Sequence, residues 1–113
     1  MTPEELEAVL RHPEVLGRAG VAPSARELGC WYTVRSGATI DAALAAALIC
    51  WAYVEAMLDS GAWVQVGNRT DGKCGVNLER GFLDSRSYCV STSRLLTLSH
   101  AYEATKERSD GTA

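Results

Sequence analysis

Between Asp41 and Glu55 thirteen consecutive residues carry no charge, the longest such run in the chain, and seven of its 16 alanines fall at positions 42–56. A membrane-crossing helix needs ~20 predominantly apolar residues, so a run of this length reads as a buried helix and no membrane span is expected. Thr39 or Asp41 offers an N-terminal cap and Ser60-Gly61 a stop, which predicts a helix over 40–59. Two stripes run along it at helical spacing. Ile40, Leu44, Leu48, Trp51 and Leu58 are large, whereas Ala38, Ala42, Ala46 and Cys50 form a narrow, small-residue surface that another backbone can approach closely. That surface suits either the protein's own sheet or a homodimer through Ala38, Ala42 and Ala46. Glu55 and Asp59 sit four apart on one face of the same helix, as a solvated edge or as a ligand for a basic partner.

At 113 residues the chain has the length of one domain, with no room for a separate catalytic or cofactor domain. Thr2, Pro3 and Glu5 form a capping-box signature before Leu6, Val9 and Leu10. Pro13 limits this helix, a further turn is expected over 14–18, and Gly20 and Pro23 mark a loop over 20–27. Residues 1–27 therefore read as a helical arm. Cys30 to Arg35 is rich in β-formers and predicts a strand, which either joins the main sheet or stands apart from it. Three short β segments follow at 62–67, 73–79 and 86–91, with Asn68 to Gly72 as a hairpin loop. Pairing Val66 with Cys74, Val64 with Val76, and Val76 with Tyr88 aligns the apolar residues, with Gly81-Phe82-Leu83 near the second tip and Cys89 facing away from Cys74. Ser93 caps an amphipathic helix over 94–107, and residues 108–113 read as a frayed tail. The expected fold is a small single α+β domain over 1–113. It has a three- or four-stranded, mainly antiparallel sheet packed with two long helices (40–59 and 94–107) and a short N-terminal helix.

Charge and chemistry narrow the function. The net charge is −3, and the most basic stretch, residues 69–94, holds five basic side chains against three acidic ones. That is far from the dense Lys/Arg stripe of a nucleic-acid-binding protein, so no nucleic-acid partner is expected. Cys30, Cys50, Cys74 and Cys89 lack the close ligand pairs of a zinc site and read as reduced thiols in a chain whose N-terminus shows no export signal, so the cytoplasm is the expected location. No nucleophile elbow, phosphate loop or dinucleotide fingerprint is present, and no cofactor or metal is expected. His12 and His100 have no companion motif. A small enzyme or ligand-binding domain using Cys89 or His100 is the one catalytic alternative.

If the apolar side of the three strands meets the helices, the other side carries Trp63, Gln65, Gly75, Asn77, Glu79, Ser87, Cys89 and Ser91. An aromatic anchor among amides and hydroxyls makes Trp63, Gln65, Asn77 and Glu79 candidate partner-binding residues, unless the N-terminal helix covers Trp63. The order helix, three strands, helix over about 38–107, opened by Asp41-Ala42-Ala43-Leu44 and Ser93-Arg94-Leu95-Leu96, resembles small phage-encoded ABA-sandwich domains. In size and acidity the chain is also similar to phage inhibitors of bacterial defences, including anti-CRISPR proteins. The resemblance implies a non-enzymatic protein-binding inhibitor of a host defence complex, such as a CRISPR effector, acting in the host cytoplasm. The alternative from the helix stripe is a homodimeric structural or assembly protein.

Overall fold

The computed structural model describes residues 1–27, 29–81 and 84–111, with 107–111 described by backbone alone. The protein is α+β: the described residues form four helices and two three-stranded antiparallel sheets. They divide into two compact units, Met1–Ala52 and Tyr53–Ala113.

In the first unit, α1 (Pro3–Leu10) starts as the capping-box signature predicts. Glu5 N–H donates to Thr2 Oγ1 at 3.1 Å, and Thr2 N–H donates to Glu5 Oε1 at 2.8 Å. Pro13 opens a second helix, α2 (Pro13–Ala19), and Gly20 closes it. The expected loop at 20–27 is corrected here: Val21–Pro23 is a strand, β1, that pairs antiparallel with β2 (Trp31–Thr33). Pro23 lies on an edge strand, where its missing N–H costs no ladder bond, and nothing local in so short a segment signals the pairing. On its other side β2 pairs with β3 (Thr39–Ile40). The Cys30–Arg35 strand thus lies in a sheet of its own, and is shorter than expected because the chain turns at Val34–Gly37, where Gly37 N–H donates to Thr33 O. Val9, Val15, Val21 and Trp31 are fully buried in this unit.

Helix α3 (Ala42–Asp59) crosses the division between the units. Asp41 caps it, accepting from Leu44 N–H at 2.7 Å, while Thr39 and Ile40 belong to β3. Ala38 likewise precedes the helix, so the expected small stripe shortens to Ala42, Ala46 and Cys50. The helix ends in a Schellman motif: Ala62 N–H donates to Met57 O, Gly61 N–H donates to Leu58 O, and Gly61 takes φ +93°. The expectation of a buried helix is corrected. Ala45, Ile49, Ala52, Tyr53 and Met57 are buried, but Leu44, Trp51 and Leu58 from the large stripe are 47, 59 and 41 % exposed. With mean hydropathy 1.5 over 18 residues α3 is long and apolar enough, by length and composition, to cross a membrane, and only 28 % of it is buried.

In the second unit, β4 (Trp63–Asn68), β5 (Cys74–Arg80) and β6 (Asp84–Tyr88) form a meander covered on one face by α4 (Arg94–Gly111). The β5–β6 register is as predicted, with Val76 opposite Tyr88. The β4–β5 register differs by two residues, placing Val66 opposite Val76 and Val64 opposite Leu78. The physical reason is the turn. Arg69 N–H donates to Lys73 O, Gly72 N–H donates to Arg69 O, and Gly72 takes φ +83°, a bulged tight turn that lets both strands run further than a long loop allows. A slip of two keeps every side chain on its own face. Phe82 and Leu83 lie outside the described residues. Ser93 caps α4 through Leu96 N–H, Leu95, Leu98 and Ala101 are buried, and Tyr102 meets Tyr53 of α3 edge to face at 5.5 Å. The backbone is helical to Gly111 where the frayed tail was expected; Thr112 and Ala113 lie outside the described residues.

Candidate functional site

Side chains alternate along the meander. Cys74, Val76 and Leu78 of the central strand are buried on the α4 side, while Asn77 and Glu79 point the other way and are exposed. The strand register stacks the open face in rows. Trp63, Glu79 and Ser85 lie abreast in one row, and Gln65, Asn77 and Ser87 in the next. The second row is hydrogen-bonded across all three strands: Ser87 Oγ donates to Asn77 Oδ1 at 2.7 Å, and Asn77 Nδ2 donates to Gln65 Oε1 at 3.4 Å. These bonds align the amides and hydroxyl in one direction across the strands. Remaining lone pairs and N–H groups face solvent, where a partner's backbone can meet them.

Next to that row Gly67 and Gly75 stand opposite each other, and the absence of two side chains opens a hollow of ≈ 480 Å³. Gln65, Asn77 and Ser87 line one side, and Arg69 and Cys89 complete it. The Arg69 stem lies over Gly75: a Cβ there would meet Arg69 Cγ at 3.5 Å. Arg69 is held loosely by Asp71 at 3.4 Å, both side chains being about half exposed, so the pair adds little stability and leaves the guanidinium able to reorient. At the far corner Trp63 is 69 % exposed, the most exposed large apolar side chain described.

The structure therefore brings Trp63, Gln65, Asn77 and Glu79 together on one face. Glu55 and Asp59 lie on α3, half-buried and exposed respectively, and neither lines the hollow. Sequence reasoning missed Arg69 as a member of the site; the signal for it is the facing glycine pair, which becomes visible only once the register is known. Cys89 lines the hollow, while the His100 ring meets Tyr88 edge to face at 5.7 Å. All four cysteines are free thiols. In the first unit a second hollow, ≈ 470 Å³, holds Cys30, whose Sγ donates to Glu27 Oε2 at 3.3 Å. That hydrogen bond first, then desolvation and the carboxylate's charge, pushes the thiol above its usual range and disfavours the nucleophilic thiolate. Among the described residues no group of three His, Cys, Asp or Glu side chains is placed to hold a metal ion. No family model, curated protein or solved structure matches the chain.

Proposed function

We propose that the protein is a non-enzymatic binding module whose ligand is another protein, docked on the open face of the β4–β5–β6 sheet. The observation that carries this reading is Trp63: a large aromatic side chain 69 % in solvent, at the corner of an ordered row of amides and hydroxyls. Trp is enriched among interface anchors because it buries much area at small entropic cost. The Gln65–Asn77–Ser87 row supplies donors and acceptors suited to a peptide backbone, and the hollow beside it admits one partner side chain. Glu79, next to Trp63 across the strands, favours a basic group at that corner. In its narrower form the partner is a host defence complex such as a CRISPR effector, met in the host cytoplasm by a small acidic inhibitor of phage or mobile-element origin. The test is a pull-down from the native host with wild type, Trp63→Ala and Asn77→Ala side by side. The reading expects one partner lost from both variants while their circular dichroism is unchanged; a partner retained equally by all three refutes it.

A further inference from the structure

The hollow over Gly67 and Gly75 has a chemistry as well as a shape. Among the described residues that line it, Arg69 is the one charged side chain. The acid beside Arg69 is engaged elsewhere: Asp71 Oδ1 accepts from Lys73 N–H at 3.1 Å, which holds the carboxylate over its own turn, and Asp71 Oδ2 reaches Arg69 Nη2 only at 3.4 Å. A charge-assisted bond is ~2.7–2.9 Å long and a matched guanidinium–carboxylate pair is bidentate, so this contact leaves most of the Arg69 donors to solvent. The amide row ends on donors too. Ser87 Oγ donates to Asn77 Oδ1 and Asn77 Nδ2 to Gln65 Oε1, so Gln65 Nε2, the last group of a polarised chain, keeps its N–H groups for a ligand. We propose that the hollow is a carboxylate receptor: resting on the sheet-face reading of the preceding section, the partner's docked segment sets a carboxylate over the two glycines, paired with Arg69 and accepting from Gln65.

The other groups a partner could insert fit less well. An apolar side chain would cover the Gln65 and Arg69 donors without satisfying them, which costs more than it gains. A cation would meet a guanidinium and no lining acid. Phosphate groups are characteristically held by clusters of Arg, whereas one guanidinium fork matches one carboxylate in charge and in geometry. Glu79 does not oppose the anion. It lies four residues along β5 from Gly75, ~13 Å at the rise of a strand, beyond the ~8 Å over which exposed charges act at physiological salt. The glycine floor gives the carboxylate its depth, and the Arg69 stem, with Cγ 3.5 Å and Cδ 3.7 Å from where a Gly75 Cβ would stand, carries the guanidinium to the same place.

A random peptide library displayed on phage and selected on the full chain tests this. The best binders are remade with amidated or free C-termini, and with each Asp or Glu changed to Asn or Gln, and titrated by calorimetry. One carboxylate is expected to matter: neutralising it should weaken binding to wild type by at least about tenfold, and should change nothing further in Arg69→Gln. Loss on the Glu→Gln or Asp→Asn change assigns the group to a side chain, and loss on amidation assigns it to the chain end. Selection on Arg69→Glu should yield Lys or Arg in its place. Gly67→Val keeps the charge but fills the hollow, at a position without positive φ where a Cβ meets nothing within 4 Å, and it should weaken the same peptides while circular dichroism is unchanged. Binders that need Trp63 and Asn77 but bind Arg69→Gln as tightly as wild type overturn the receptor and leave the sheet face standing. Binders indifferent to Trp63→Ala and Asn77→Ala, or no binders at all, overturn both.

Discussion

The turn that sets the candidate site can be tested with two glycines three residues apart. Gly72 sits at φ +83°, whereas Gly75 has no positive φ and lies in regular strand. An L side chain forced into the left-handed region costs about 1–2 kcal/mol, so Gly72→Ala should destabilise by that amount, and Gly72→Asn by less. Gly75→Ala has the opposite sign. Its new methyl would meet Arg69 Cγ at 3.5 Å, an ordinary contact against an exposed, movable stem, and the loss of unfolded-state freedom stabilises by about 0.4–1 kcal/mol. The two variants should therefore differ by about 1.5–3 kcal/mol in urea unfolding, or roughly 6–12 °C in melting temperature at about 4 °C per kcal/mol for a chain of this size. Gly75→Ala also raises the floor of the hollow, so it should weaken partner docking while strengthening the fold. Equal stabilities for the two alanine variants would refute the bulged turn, and with it the register that places Gly67 opposite Gly75.

Further outcomes follow from single side chains. Leu98, fully buried on α4, should cost about 2–5 kcal/mol when changed to Ala, read by chemical denaturation. Trp63→Ala should leave stability within about 0.5 kcal/mol of wild type, since the side chain is mostly in solvent; a larger loss would mean that Trp63 serves the fold. Glu27→Ala removes both the acceptor and the charge that raise the Cys30 thiol, so its pKa should fall toward the usual range. Because thiolate fraction grows as pKa falls, Cys30 should then react faster with a disulfide reagent near pH 8, followed by mass mapping, and an unchanged rate would refute the link.

What local chemistry dictates was legible in the sequence. The Thr2–Glu5 capping box, the Asp41 cap, the Ser60-Gly61 stop and the Ser93 cap each depend on residues within one turn, so they could be read without knowing the fold. The two faces of the β4–β5–β6 sheet were legible too, because alternation is a property of the strand and survives a slip of two; hence Trp63, Gln65, Asn77 and Glu79 were grouped correctly. Arg69 and the Gly67–Gly75 hollow were not, since they depend on the register the bulge at Gly72 imposes. Strands β1 and β3 exist through pairing with Trp31–Thr33 and leave little pattern of their own. The α3 helix shows the limit most plainly. Periodicity identifies a buried face by contrast between apolar and polar residues, and a helix apolar almost all round offers no contrast. Its residue types placed the large side chains and the small ones on separate stripes, but only tertiary packing decided that Ala45, Ile49, Tyr53 and Met57 go inward and that Leu44, Trp51 and Leu58 meet solvent.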